Sequence, residues 1–149
     1  MPVGGIGAGA EPVLIGEIEP LGYRFGTDLG AAQAVAEVNA AGGVLGGRPL
    51  RIELRDDEAD PAVAVARLRE LVRLGVRAFV GSSYSNSALA VLDEVGRAGI
   101  PYLSAGAADA QVDPVRPYVF MTPPTAGVVA EQLLRYFRAS GMTRMAVAH

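Results

Sequence analysis

Apolar residues recur along this chain with two periods, near two and near 3.6, and the periods take turns, which predicts strands interleaved with helices. Val13-Leu14-Ile15-Gly16 opens a short apolar run that ends near Glu19-Pro20, so a first strand is predicted at 13–19. Gly26-Thr27-Asp28 starts a helix whose Ala31, Val35 and Val38 share one apolar face, and Gly42-Gly43 stops it. Leu50, Ile52 and Leu54 then alternate with Arg51, Glu53 and Arg55, the pattern of a half-covered edge strand. Asp60-Pro61 supplies a helix cap and a first-turn proline. Val65, Leu68 and Val72 mark the buried stripe of that second helix, and Gly75 closes it.

The alternation continues. Residues 76–80 read as a third strand ended by Gly81, and Ser82-Ser83-Tyr84-Ser85-Asn86-Ser87 leads into a third helix with Ala88, Val91, Leu92 and Val95 inside. Residues 99–104 form a fourth strand, 105–113 a loop of small residues, and 118–122 a fifth strand. Pro123-Pro124 forces an extended break before a fourth helix at 125–139 and a last strand at 144–149. Strands separated by helices imply right-handed crossovers and a parallel sheet covered on both faces.

Composition narrows the functional classes. A chain of 149 residues with half its residues apolar and 19% charged suits one globular domain. A formal charge of −3 with scattered basic residues argues against nucleic acid as a partner. No cysteine is present, which excludes disulfides, thiolate metal sites and cysteine nucleophiles. The single histidine is His149, so a histidine-based triad would depend on the chain end. No apolar run approaches the roughly 20 residues that span a bilayer. The start, Met1-Pro2-Val3-Gly4-Gly5-Ile6-Gly7, lacks the basic region and long apolar core of a signal peptide. Either the protein is cytosolic or its export signal was removed from this sequence.

Candidate sites carry both a functional and a plain structural reading. Gly5-Ile6-Gly7-Ala8-Gly9 imitates a dinucleotide fingerprint but precedes the first strand, so a flexible arm is the better reading. Asp56 and Asp57 suggest a metal or phosphoacceptor pocket; solvated carboxylates lining the strand-two loop are favoured. At Ser82–Ser87, hydroxyls, an amide and free backbone N–H groups converge on a helix start, where Tyr84, Ser85 and Asn86 could hold an anion. Ser85 or Asn86 could equally cap the helix with the same atoms. Gly106, Ala107 and Ala108 follow strand four, where small side chains let a ligand approach the backbone or simply make a turn. Tyr23 and Phe25 wall a pocket or pack their own loop. These loops follow strands one, three and four, where doubly wound sheets place their ligands.

From Val13 onward the chain resembles the leucine/isoleucine/valine-type periplasmic solute-binding proteins of ABC transporters. The resemblance rests on Ile15-Gly16-Glu17-Ile18-Glu19-Pro20-Leu21, Gly26-Thr27-Asp28-Leu29, and the highly specific Asn39-Ala40-Ala41-Gly42-Gly43-Val44-Leu45-Gly46-Gly47-Arg48-Pro49-Leu50. Arg55-Asp56-Asp57 with Asp60-Pro61, Val80-Gly81, Gly99-Ile100-Pro101 and Pro117-Tyr118-Val119-Phe120-Met121-Thr122 extend it over nearly the whole chain. It implies that the ligand's carboxylate is held at Ser85 and Asn86, and its ammonium group near Gly106, Ala107 and Ala108. Three departures stand out. Ala108 replaces the hydroxyl residue typical there, the segment after Leu21 is short, and family members are much longer, closing two lobes around the ligand.

The expectation is therefore an α/β, flavodoxin-like, doubly wound parallel sheet in three layers, of order 2-1-3-4-5, with a sixth edge strand as one option. Residues 1–12 are read as a flexible glycine-rich arm, 13–122 as the N-terminal ligand-binding lobe, and 123–149 as a crossover plus the first helix and strand of a truncated second lobe. Segment 125–149 pairs at the sheet edge, swaps into another copy to make a homodimer, or stays loose. Edge pairing or a swap is favoured, because Val129, Leu133, Tyr136 and Phe137 would otherwise be exposed. The expected function is that of an extracytoplasmic component binding an amino acid or other small carboxylate and serving an ABC permease, with no catalytic residue, metal or cofactor. The resemblance implies a periplasmic or extracellular location. A sensory domain of the same fold is the alternative; a nucleotide-dependent enzyme would need a phosphate loop that 21–26 lacks.

Overall fold

The computed structural model describes residues 10–146. The glycine-rich arm expected at 1–12 lies almost wholly outside them. Five strands form one parallel sheet: β1 (Val13–Glu19), β2 (Leu50–Asp56), β3 (Ala78–Gly81), β4 (Tyr102–Ser104) and β5 (Val119–Met121), in the order β2-β1-β3-β4-β5. The expected fold class and strand order are both found. Helix α1 (Thr27–Ala40) joins β1 to β2, and α2 (Pro61–Leu74) joins β2 to β3. The helix expected after β3 is split into α3 (Ser85–Ala90) and α4 (Leu92–Ala98), and α5 (Ala126–Ala139) follows β5.

Local signals explain these boundaries. Asp60 accepts hydrogen bonds from the N–H groups of Ala62 (2.7 Å) and Val63 (3.1 Å), with Pro61 in the first turn. The Asn39 amide donates to the Leu50 carbonyl (2.9 Å) and accepts from the Leu50 N–H (2.8 Å), so the end of α1 sets the start of β2. Thr125 caps α5 through the Val128 N–H.

The register lines up Gly16, Phe79, Tyr102 and Val119 in one row across four strands. Together with Ile18, Ala64, Leu68, Leu71, Val76, Val91, Leu92 and Val95 they form the core between the sheet and α2, α3 and α4. Ala88, Val91, Leu92 and Val95, the expected inner face of the third helix, are all buried. In α2 the buried stripe is Ala64, Leu68 and Leu71, with Val65 and Val72 packed against its edge.

The opposite face of the sheet is less covered. Helix α1 packs over β1 and β2, while Leu103 on β4 and Phe120 on β5 remain 40% and 57% exposed. Helix α5 is held at its N-terminus by the Ala107 carbonyl and the Asp109 carboxylate and buries none of its residues. The strand expected at 144–149 is not formed over 144–146, and 147–149 lie outside the described residues.

A core confined to one side of the sheet makes a direct prediction. Phe79→Ala should cost about 3–5 kcal/mol in urea unfolding, and Leu103→Ala less than about 1 kcal/mol. Equal losses would contradict the asymmetry.

Candidate functional site

Three loops meet at the carboxyl edge of the sheet. After β1, a single 3-10 turn, Leu21–Tyr23, is tied to the end of β2 because the Asp56 carboxylate accepts from the Leu21 N–H (3.2 Å) and the Glu58 N–H (2.8 Å). Tyr23 then stacks on Phe25 (centroids 5.7 Å apart) and on Tyr84 of the loop after β3 (6.1 Å). Tyr23 is 60% exposed, so this aromatic stack presents an apolar wall to solvent.

The loop after β3 is placed by the strands beneath it. Gly81 has φ +91°, and a Cβ there would collide with the Ile18 carbonyl oxygen, so only glycine passes this point. The Ser82 N–H donates to the Tyr102 hydroxyl (3.1 Å), the Ser83 N–H to a Glu19 carboxylate oxygen (3.0 Å), and the Tyr84 N–H to the Ser82 hydroxyl (3.2 Å). Tyr84 is the residue that precedes α3, and no side chain caps the helix. The capping alternative for Ser85 and Asn86 is thereby corrected: the Ser82 hydroxyl turns the chain one step earlier. Among the described residues the N–H groups of Ser85, Asn86 and Ser87 make no hydrogen bond, Ser85 is half-buried and Asn86 is exposed.

The loop after β4 packs against that helix start. Gly106 is buried between Ala88, Gln111 and the Ser82 carbonyl; its N–H donates to Ser104 Oγ (3.1 Å) and its carbonyl accepts from Gln111 Nε2 (2.9 Å). The expectation that Gly106 leaves room for a ligand is corrected: protein fills that space and uses both backbone groups. Ala107 and Ala108 are half-buried, and their N–H groups have no partner among the described residues.

The acidic residues hold the largest departure from expectation. Asp57 is not solvated: it is fully buried, one oxygen accepts from the Ala59 N–H, and the other has no partner. Glu17 and Glu19 project from β1 on the α1 side and are 2% and 3% exposed. Glu19 Oε1 has no hydrogen-bond partner. Both carboxylates line a cavity of about 180 Å³ with Thr27, Ala31, Val80, Gly81, Leu103, Ala105 and Thr122. Burial raises the Glu17 carboxyl to about 7, helped by the charges of Glu19 and Asp28. Burial also raises Glu19, eased by hydrogen bonding from Ser83 and, more weakly, Thr27, while Asp57 adds to the rise. No group of three His, Cys, Asp or Glu among the described residues could hold a metal ion.

Glu17 and Glu19, part of the family-like motif in strand one, carry no site role in the sequence-based expectations. The available signal was their i, i+2 spacing in an otherwise apolar strand, which puts both carboxylates on one face. That signal means burial only once β1 is known to lie between β2 and β3.

A family model described as periplasmic binding protein matches residues 24–149. Leu/Ile/Val-binding protein homolog 8 of Brucella abortus is 40% identical over 105 residues, covering 68% of this chain and 25% of that protein. An ABC transporter substrate-binding protein from Desulfitobacterium hafniense, solved in complex with Leu, has a similar structure: TM-score 0.82 at 28% identity, over 88% of this chain and 40% of that one. A branched-chain amino acid transporter substrate-binding protein from Streptococcus pneumoniae, solved with isoleucine, gives TM-score 0.71 at 26% identity, over 77% and 34%. This chain spans about a quarter of the length of the curated relatives it matches.

The raised Glu17 carboxyl predicts a stability difference with a definite sign. The folded protein holds this proton up to about 7, whereas the unfolded chain releases it near 4.5. The stabilising effect of the retained proton is complete below 4.5 and is lost as pH rises through 7, by at most about 1.4 kcal/mol per pH unit. Glu17→Gln should therefore melt above the parent at pH 8 and near it at pH 5. A melting difference that does not change with pH would contradict the buried acid.

Proposed function

This chain belongs to the periplasmic binding protein family, and we propose that it forms the N-terminal ligand-holding lobe of an ABC transporter solute-binding protein. The family is one of solute-binding proteins rather than enzymes. The proposed lobe covers 13–122, and 123–149 leads toward a second lobe. The ligand is an amino acid or other small carboxylate, delivered to an ABC permease from the periplasm or the cell exterior.

The observation that carries this reading is the uncapped start of α3 beside the aromatic wall. The N–H groups of Ser85 and Asn86 have no partner among the described residues and lie beside the half-buried Ser85 hydroxyl, with the buried Ser87 N–H one step further in, an arrangement that suits a carboxylate. Tyr84 and Tyr23 stand next to it and suit an aliphatic side chain. The N–H groups of Ala107 and Ala108 add a second set of donors, and Gly106 acts by packing that loop onto α3. An alanine at 108 leaves the loop without a side-chain hydroxyl for the ligand's ammonium group, so acceptors for that group lie elsewhere. The relatives described above support the amino-acid class, and none of them supports the sensory alternative.

A site open on one side encloses little of its ligand, so L-leucine should bind this chain weakly, with a Kd on the order of millimolar. In an amide NMR titration, leucine should move the signals of Ser85, Asn86, Ser87, Ala107 and Ala108. Ser85→Ala should weaken binding at least ~3-fold and leave the melting temperature within about 1 °C, because Ser85 caps nothing. Unmoved amides, or a fall in melting temperature that matches the loss of binding, would sink this reading.

A further inference from the structure

Glu17 and Glu19 are buried acids without counter-charges among the described residues. A buried carboxylate is normally paired with a cation or satisfied by several donors, because desolvating it alone is costly. Glu19 accepts from the Ser83 N–H and is eased further by the Ser83 and Thr27 hydroxyls, yet its Oε1 is buried without a partner. Glu17 makes no hydrogen bond or ion pair among the described residues. The charges that act on them through space are acidic: Asp28 on α1 raises Glu17, and Asp57 after β2 raises Glu19. Arg24 lines the neighbouring cavity with Glu19 but forms no ion pair with either acid. The fold has thus placed two acids in one cavity and supplied neither with a cation.

That cavity adjoins the site already described. Ser83, which donates to Glu19, comes two residues before Ser85, and Ala105, which lines the cavity, directly precedes Gly106. Its volume of about 180 Å³ is several times one water's share of the liquid, about 30 Å³. Ala31, Val80 and Leu103 give it apolar walls, and Thr27 and Thr122 add hydroxyls.

We propose that this cavity receives the cationic group of the ligand, an ammonium or guanidinium carried on a short aliphatic stem, so that the lobe selects a basic amino acid over a purely aliphatic one. The inference rests on the proposed function and specifies its ligand. An ammonium group brings donors to the Glu17 carboxylate and offsets the charge of Glu19 buried behind it, while its stem lies along Val80 and Leu103. A hard metal ion is a poorer fit: it needs about six oxygens, and the described residues offer no group of three such ligands. The ligand's carboxylate stays at the start of α3, at the opposite charge end of the same site.

The test is an amide NMR titration of the full 149-residue chain with L-lysine and with L-leucine, at pH 8.5 and pH 5.5. At pH 8.5 lysine should bind at least ~10-fold more tightly than leucine, and it should move Thr27, Val80, Leu103 and Ala105 as well as Ser85–Ser87. That advantage should disappear in Glu17→Gln and shrink at pH 5.5, while leucine binding is unchanged by the substitution. Glu58→Gln, which removes an exposed acid at the same sheet edge, should leave the lysine advantage intact; an equal loss there would mean general charge attraction and overturn the proposal. If lysine and leucine bind alike, both moving Ser85–Ser87, the basic-ligand inference fails and the solute-binding reading stands. If neither moves Ser85–Ser87, both fail.

Discussion

The close approach of Phe79 to the bare backbone of Gly16 is the contact on which the rest of the sheet depends. A Cβ on Gly16 would lie 2.9 Å from Phe79 Cδ1 and 3.0 Å from Leu71 Cδ1, so any side chain there would force the Phe79 ring and Leu71 out of their packed positions. With that space left open, Phe79, Tyr102 and Val119 follow in register across three more strands. The row does more than fill the core. Tyr102 reaches from it to hold the Ser82 N–H, and Ser104, on the same face of β4, holds the Gly106 N–H. The two loops that adjoin the candidate site are therefore positioned by core residues.

The other face of β1 is chemically opposite. Where Gly16 and Ile18 enter an apolar interior, Glu17 and Glu19 lie under α1 in a cavity with no counter-charge. Locally this breaks the rule that buried charge is paired, and such departures concentrate at functional sites. In the proposed reading β1 joins stability to recognition, with Gly16 and Ile18 on the core side and Glu17 and Glu19 on the cavity side. Helix α5 belongs to neither: its apolar residues are exposed, as are Leu103 and Phe120 on the uncovered part of the sheet.

Much of this was legible in the residues themselves. The alternation at 50–55 marked β2, Asp60-Pro61 marked the start of α2, and the spacing of Ala88, Val91, Leu92 and Val95 marked a buried helix face. The break between α3 and α4 left no trace, because neither glycine nor proline interrupts the periodicity at Val91. Asp57 read as solvated because its neighbours are polar, whereas its burial comes from elements distant in sequence. Gly106 read as an opening for a ligand because glycine signals close approach without saying what approaches; here it is Ala88 and Gln111. The burial of Glu17 and Glu19 was not legible for a similar reason, since a parallel strand's position in the sheet is set by crossovers rather than by its own residues.

Everything proposed for β1 requires Glu17 to be a buried acid without a cation at the edge of the site. Carbon-13 NMR of the glutamate side-chain carboxyls, with Glu17→Gln to identify the resonance, measures this directly. Glu17 should titrate at about 7 in the free protein and move toward the ordinary carboxylate range when lysine is added. Titration near 4.5 in the free protein would show an acid that is already solvated or paired, and would contradict the proposal.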